Sequence, residues 1–340
     1  MHKVYIVIVN YNTFRDTIEC LESLLKSNYK NFQIFVIDNS SDTTSINHLS
    51  NWITNNNYND LNTDFKHLVF PLEDKPLSHT IVFEPDFNSS DEIYDKKVII
   101  IRAKNKGFAA ANNIVLNYIL KNGDDSSLVW VLNNDTVVEK DTLNNLVGFC
   151  QLSENRMYIA GARLRYYNKP KLIQAVAGNY NKWLGKHSHI GEGEEDLGQY
   201  DNYKPGKMDY IVGASVFLPK LFLEQAGIMC EDYFLYFEEL DWMKTGLKYG
   251  YSMAIVPNAI VYHKEGASII GNNNNKKDLF VAEFYSITNR VRFIKKWYPY
   301  CLITVMIGVI IALIKRIMQG KFSFVKKTSI TIIRILFANS

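Results

Sequence analysis

VYIVIVNY (4–11) is apolar through Val9 and then closes on Asn10 and Tyr11. A short apolar run that stops at a polar turn reads as a fully buried strand. The next segment, Thr17–Lys26, carries Ile18, Leu21, Leu24 and Leu25 at helical spacing. FQIFVIDNS (32–40) is a second strand ending in Asp-Asn-Ser turn chemistry, KKVIIIRA (96–103) a third, and SLVWVLNND (127–135) a fourth. Buried strands separated by helices imply parallel βαβ units with right-handed crossovers. The expected fold is therefore α/β with a mostly parallel central sheet. In such sheets ligands bind beyond the carboxyl ends of the strands. The polar clusters Asn10–Asn12, Asp38–Ser41, Arg102–Gly107 and Asn133–Asp135 all fall at those ends.

Composition narrows the function classes. A chain of 340 residues with 47% hydrophobic content can bury a large core. The four cysteines, Cys20, Cys150, Cys230 and Cys301, are dispersed, which predicts neither a disulfide framework nor a zinc site and fits a reducing compartment. MHKVYIVIVNYN runs straight into a strand, so no cleavable signal sequence is expected. The first strand is followed by Asn10-Tyr11-Asn12-Thr13-Phe14-Arg15 rather than G-x-G-x-x-G, which disfavours an NAD-type enzyme. A Walker phosphate loop is also absent from the sequence.

The net charge of +3 hides an asymmetry: residues 284–340 carry ten Lys/Arg and no Asp or Glu, leaving −7 on the remainder (3 − 10). The basic residues alternate with apolar runs, CLITVMIGVIIALI (301–314) and SITIIRILF (329–337). Apolar runs flanked by Lys/Arg read as a membrane-surface segment, so an anionic membrane is the expected partner and nucleic acid is not. Trp297–Ile314 is at the short end for a span, and Arg334 interrupts the second run, which favours shallow helices over one true span. A helical hairpin closing the core, or a homodimer interface, is the competing use of the same tail. DLFVAEFYSITNRVRFIKKW (278–297) has an amphipathic helical pattern that Pro299 ends. The expected organisation is a catalytic body at 1–277 and a helical membrane-association region at 278–340. Within the body, residues 45–95, rich in Asn, Asp and Ser, read as a surface insertion, and 185–207 as a further loop.

VLNNDTVVEKDTL (131–143) carries the first chemistry: a carboxylate at a strand end can hold a divalent cation, and through it a diphosphate. Taken alone, Asn-Asn-Asp is more often turn chemistry. Its neighbours alter that weighting. VIVNYN (7–12), VIDNSSD (36–42), RAKNKGFAAANN (102–113), VLNNDTVV (131–138), YIVGASVFLPK (210–220), FLYFEELDW (234–242) and VYHKEGAS (261–268) follow in this order. Together they resemble glycosyltransferase family 2, in particular its bacterial rhamnosyltransferase-like and galactofuranosyltransferase-like members, over roughly residues 3–297 apart from 45–95.

That resemblance implies a Rossmann-like nucleotide-sugar-binding fold of the GT-A type, followed by the helical tail. It implies an inverting, metal-dependent transfer of sugar from a dTDP- or UDP-sugar, rhamnose favoured, to a saccharide or lipid-linked saccharide in cell-surface polysaccharide synthesis. The cytoplasmic face of the membrane is the expected location. By the same resemblance Asp38 meets the nucleobase, with Val9, Asn10, Asn12 and Arg102 around it, and Asn105 and Gly107 pass close to the nucleotide. Asn133, Asn134 and Asp135 stand where the family has Asp-x-Asp. Asp135 is the one charged ligand there for Mn2+ or Mg2+, and His263 is its implied companion. YFEELDW supplies the implied general base, Glu239, with Glu238 the alternative. Asp241, Trp242 and the small-residue turn Gly213-Ala214-Ser215 are implied acceptor contacts. The acids alone would also suit a solvated helix face, and the aromatics ordinary core packing. A catalytically silent, membrane-attached partner of another transferase is the competing function.

Overall fold

The apolar runs form the middle of one sheet. In the computed structural model, which describes residues 2–56, 58, 60–152, 157–264 and 276–338, the strands are β1 (Val4–Asn10), β2 (Phe32–Asp38), β3 (His79–Phe83), β4 (Val98–Arg102), β5 (Leu128–Leu132), β6 (Thr136–Val138), β7 (Tyr158–Tyr166), β8 (Lys169–Ala175), β9 (Gly178–Asn181), β10 (Lys186–His189), β11 (Asp209–Tyr210), β12 (Ser215–Pro219) and β13 (Ser252–His263). The helices are α1 (Phe14–Leu25), α2 (Thr44–Thr54), α3 (Lys66–Val69), α4 (Glu84–Ser89), α5 (Phe108–Asn122), α6 (Thr142–Gln151), α7 (Lys220–Ala226), α8 (Glu238–Lys248), α9 (Lys276–Trp297), α10 (Leu302–Met318) and α11 (Phe322–Phe337).

The main sheet runs β3-β4-β2-β1-β5-β12-β7-β13-β6, with β8 on β7, and β10-β9-β11 form a small second sheet. The first five are mutually parallel; β12 is antiparallel to both β5 and β7. Register places Asn10 beside Asp38 and Asp38 beside Arg102, so three strands end level on one edge of the sheet. That is the expected mostly parallel sheet, with its polar strand ends on one side.

The segment 45–95 departs from the surface insertion expected of it. Its α2 buries Leu49, Trp52 and Ile53, and β3 completes the sheet edge beside β4. Trp52 Nε1 donates to Glu22 Oε1 at 2.8 Å, and Lys75 Nζ meets the same oxygen at 2.8 Å with both charged side chains out of solvent. The polar composition hid this because an edge strand and a one-sided helix need few apolar residues. Part of 185–207 is likewise ordered into β10, and Asp196 accepts from Arg163 and Arg165.

The helix α9 buries Phe284, Ile287, Val291, Phe293 and Ile294 in the main core, and α10 and α11 pack back on it through Val305, Val309, Phe324, Ile332 and Ile335. The amphipathic pattern of 278–297 is therefore a core pattern: α9 is built into the body. The outer faces of α10 and α11 leave Ile303, Ile307, Ile311, Met318, Phe322 and Phe337 exposed. Pro299–Met318 is long and apolar enough to cross a membrane.

Candidate active site

A cleft of about 1550 Å³ opens at the carboxyl ends of β1, β2, β4 and β5. Its floor takes in Val9, Asn12, Asn39, Ser41, Asn105 and Gly107; its centre Asn133, Asn134, Asp135 and His263; its far wall Gly213, Ala214, Glu238 and Glu239. Residues separated by more than two hundred positions converge because β1, β2, β4, β5 and β13 end, and the antiparallel β12 begins, on one side of the sheet.

Three predicted donor residues stand behind the floor. Asp38 is fully buried; its Oδ1 accepts from Asn10 Nδ2 at 2.7 Å and Ser40 Oγ at 2.5 Å, and its Oδ2 from Arg102 at 2.7 Å. Asn10 Oδ1 in turn accepts from Thr17, and Arg102 also donates to the Asp42 carbonyl. This knot ties β1, β2 and β4 together where they end. The polar residues that line the cleft beyond these strand ends are Tyr11, Asn12, Asn39, Ser41 and Asn105. The buried Asn39 Oδ1 has no hydrogen-bond partner among the described residues. Sequence reading passed over Asn39 although it sits inside the VIDNSSD motif.

At the centre, His263 ends β13 and Asp135 follows β5. Asp135 Oδ1 lies 3.2 Å from His263 Nε2, and Asn133 Nδ2 is 3.4 Å from the same nitrogen. Gln174 Oε1 accepts from His263 Nδ1 at 2.8 Å, which orients the ring with Nε2 toward Asp135. Burial alone would raise the Asp135 carboxyl. The charge and hydrogen bond of His263, with Lys264 beyond it, outweigh that and hold the group below its ordinary range. Two neighbouring ligands of an octahedral dication, each about 2.1 Å from it, stand about 3 Å apart. The carboxylate and imidazole therefore suit one hard cation, with the rest of its shell left for phosphate oxygens and water. Among the described residues no group of three His, Cys, Asp or Glu side chains could do so alone. Lys264, which sequence reading also missed, is held by Asp16 and Glu19, and these carboxylates outweigh its burial to push its pKa up. Of the family-like stretch VYHKEGAS, residues 265–268 lie outside the described residues.

On the far wall, α8 begins at Glu238. Burial raises the carboxyl of Glu238 well above its usual value, with the Glu239 charge adding to this; burial also raises Glu239. Glu238 Oε2 is buried without a partner among the described residues. Gly213 faces Glu239: a Cβ there would sit 3.4 Å from the Glu239 Cγ. At Gly107 (φ +105°) a Cβ would come within 2.5 Å of the Phe234 carbonyl, so only glycine lets α5 start against the turn before α8.

Three expected acceptor contacts turn away from the cleft. Trp242 is buried, packs edge-on against Phe222 at 5.1 Å and donates its indole N–H to the Gly227 carbonyl. Asp241 accepts from Tyr233 at 3.0 Å and Trp297 at 2.6 Å and pairs with Lys296 at 2.8 Å, which joins α8 to α9. Ser215 Oγ accepts from Trp130 Nε1 in the sheet. These side chains do structural work, because they lie on the core-facing sides of α8 and β12.

A mixed, mostly parallel sheet of this order, with its cleft at the strand ends, is the GT-A glycosyltransferase fold. The family model described as glycosyl transferase family 2 matches residues 5–59, in agreement with the motif resemblance. The dTDP-rhamnosyl transferase RfbF of Shigella flexneri is 23% identical over 184 residues, which cover 53% of this chain and 57% of that protein. The chain thus spans little more than half the length of this curated relative. The structure of GalNAc-T7 with UDP, GalNAc and Mn2+ superposes with a TM-score of 0.56 at 14% identity, covering 88% of this chain and 48% of that one. The mannosyltransferase PcManGT of Pyrobaculum calidifontis, in complex with GDP-Man and Mn2+, gives a TM-score of 0.48 at 11% identity over 99% of this chain and 88% of that one.

Proposed function

We propose that this protein is an inverting glycosyltransferase that moves a sugar, rhamnose favoured, from a dTDP- or UDP-linked donor to a saccharide acceptor at the cytoplasmic face of a membrane. The observation that carries the reading is the meeting of the Asp135–His263 pair and the Glu238–Glu239 pair across one cleft at the strand ends. The dTDP-rhamnosyl transferase likeness supports the choice of sugar.

The donor's base lies over Asn12 and Ser41, beside the buried Asn39. A divalent cation held by Asp135 and His263 would offset the charge that builds on the departing diphosphate. Glu239 takes the proton from the acceptor hydroxyl as its oxygen attacks the anomeric carbon from the face opposite the diphosphate. One base and no separate nucleophile give a single displacement, so configuration inverts. Gly213 and Ala214 leave room beside Glu239 for the acceptor.

The exposed isoleucines of α10 and α11, with Lys315, Arg316, Lys321, Lys326 and Lys327 beside them, support attachment to an anionic membrane. Because α10 and α11 lie packed on α9, a shallow in-plane hairpin fits better than a free span. The test is nucleoside diphosphate release from a panel of dTDP- and UDP-sugars, with proton NMR of the first-formed glycoside. Release with inversion supports the reading and excludes a catalytically silent partner. Binding without turnover on any acceptor favours the silent partner, and a retained anomer removes the mechanism.

A further inference from the structure

The turn that delivers Glu238 and Glu239 to the cleft is made of residues in an unfavourable conformation. Phe234, Tyr236 and Phe237 have φ of 33°, 68° and 75°, the left-handed region that bulky side chains avoid. Such a turn persists only where its surroundings over-determine it. One side is supplied by α5: Phe108 N–H donates to the Phe234 carbonyl at 2.8 Å, across the space that Gly107 leaves open. The other side is supplied by α9. The buried Asn289 amide nitrogen lies against three carbonyls of the turn, 3.2 Å from that of Tyr233, 2.8 Å from that of Leu235 and 3.1 Å from that of Tyr236. Phe234 also stacks on Tyr285 of the same helix, with centroids 4.7 Å apart.

We propose that Asn289 is a positioning residue for the paired acids: from α9 it holds the turn that aims Glu238 and Glu239 into the cleft. A carboxamide is the side chain such a place requires. Its two N–H groups serve carbonyls that the left-handed turn leaves unpaired. A carboxylate there would repel all three carbonyls, and an aliphatic side chain would leave them buried and unmatched. Asp241, tied to Tyr233, Lys296 and Trp297, fastens the first turn of α8 to the same helix. Helix α9 thereby controls the geometry of the acids without itself meeting substrate through Asn289.

The proposal rests on the reading of Glu239 as base, and one arm of its test is independent of turnover. Asn289→Leu removes the donors at similar size. With dTDP- or UDP-sugar as substrate, kcat should fall by about a hundredfold, the scale of a misplaced reacting group, while the donor KM stays within about twofold. In the substrate-free protein labelled at its glutamate carboxyls, NMR titration should show the two raised carboxyls move toward ordinary values as the turn relaxes. Where Asn289→Leu does not fold, Asn289→Ser, which keeps one donor, takes its place and should show intermediate effects. Unchanged kcat overturns the proposal. Where the unaltered chain turns over no donor, the enzyme reading fails separately, and the carboxyl titration alone decides: a shift upholds the positioning role and no shift overturns it.

Discussion

Asp135 and His263 stand 3.2 Å apart, one following β5 and the other ending β13, on the same side of the sheet although far apart in sequence. Their pairing makes Asp135 the natural first target. Asp135→Ala should abolish metal-stimulated turnover while circular dichroism and thermal unfolding report an intact fold. Full activity of this variant, or of the unaltered protein in excess chelator, would contradict the metal role.

The two acids of α8 should separate by function and by pH. Glu239→Gln keeps shape and removes the base, so kcat should fall at least about a hundredfold with donor affinity little changed. Because burial raises this carboxyl, the acid limb of kcat should lie above the pH of an ordinary glutamate. If Glu238→Gln is the crippled variant instead, the base is the neighbouring residue.

Glu238 also carries a stability signature. Its folded-state pKa is raised, so the folded protein holds this proton more tightly than the unfolded chain. That contribution is complete below the ordinary glutamate pKa and is lost as pH rises through the raised value. Glu238→Gln, which cannot ionise, should therefore melt higher than the unaltered protein at neutral pH and show little difference in mild acid. A lower melting temperature at neutral pH would show that the ionised form is stabilised by the fold.

The Lys75–Glu22 pair ties the segment 45–95 into the packed body. Lys75→Met leaves the Glu22 carboxylate buried without its cation, which should cost about 3–5 kcal/mol in denaturant unfolding. Replacing 50–92 by a Gly/Ser linker removes Trp52 and β3 and should prevent folding. Recovery of a folded, donor-binding protein from that deletion would restore the surface-insertion reading.

Those residues also mark the limit of what the sequence makes legible. The strands β1, β2, β4 and β5 announce themselves because buried parallel strands are continuous apolar runs, and their polar ends fix the position of the cleft. Edge strand β3 and one-sided helix α2 dilute their apolar residues among Asn and Ser, and so read as loop. Motif order points to Asp135, His263, Glu238 and Glu239, and the fold brings these four around one cleft. Trp242 and Asp241 were misplaced because one helical turn presents both cleft-facing and core-facing positions, and residue type does not distinguish them. Asp38 was correctly located at a strand end, yet its register against Arg102 turns its carboxylate into the sheet's own hydrogen bonding. No spacing rule reveals that.

Membrane attachment through α10 and α11 predicts that full-length protein floats with anionic vesicles, less so at high salt. Replacing the exposed Ile303, Ile307 and Ile311 by Ser leaves the packing on α9 in place and should cut flotation with donor binding preserved. A chain that fails to float with anionic vesicles at low salt would rule this out.

The central claim is that the cleft binds a nucleotide sugar through a cation at Asp135. Thermal unfolding of the full chain with dTDP-rhamnose, and with UDP-sugars, each with and without Mn2+, tests it most directly. At a hundredfold excess over Kd, ligand adds about 2.7 kcal/mol to the folded state, so the melting temperature should rise with at least one donor, only when Mn2+ is present, and not in Asp135→Ala. A melting temperature unmoved by every donor in the presence of Mn2+, or moved equally in Asp135→Ala, would contradict the account.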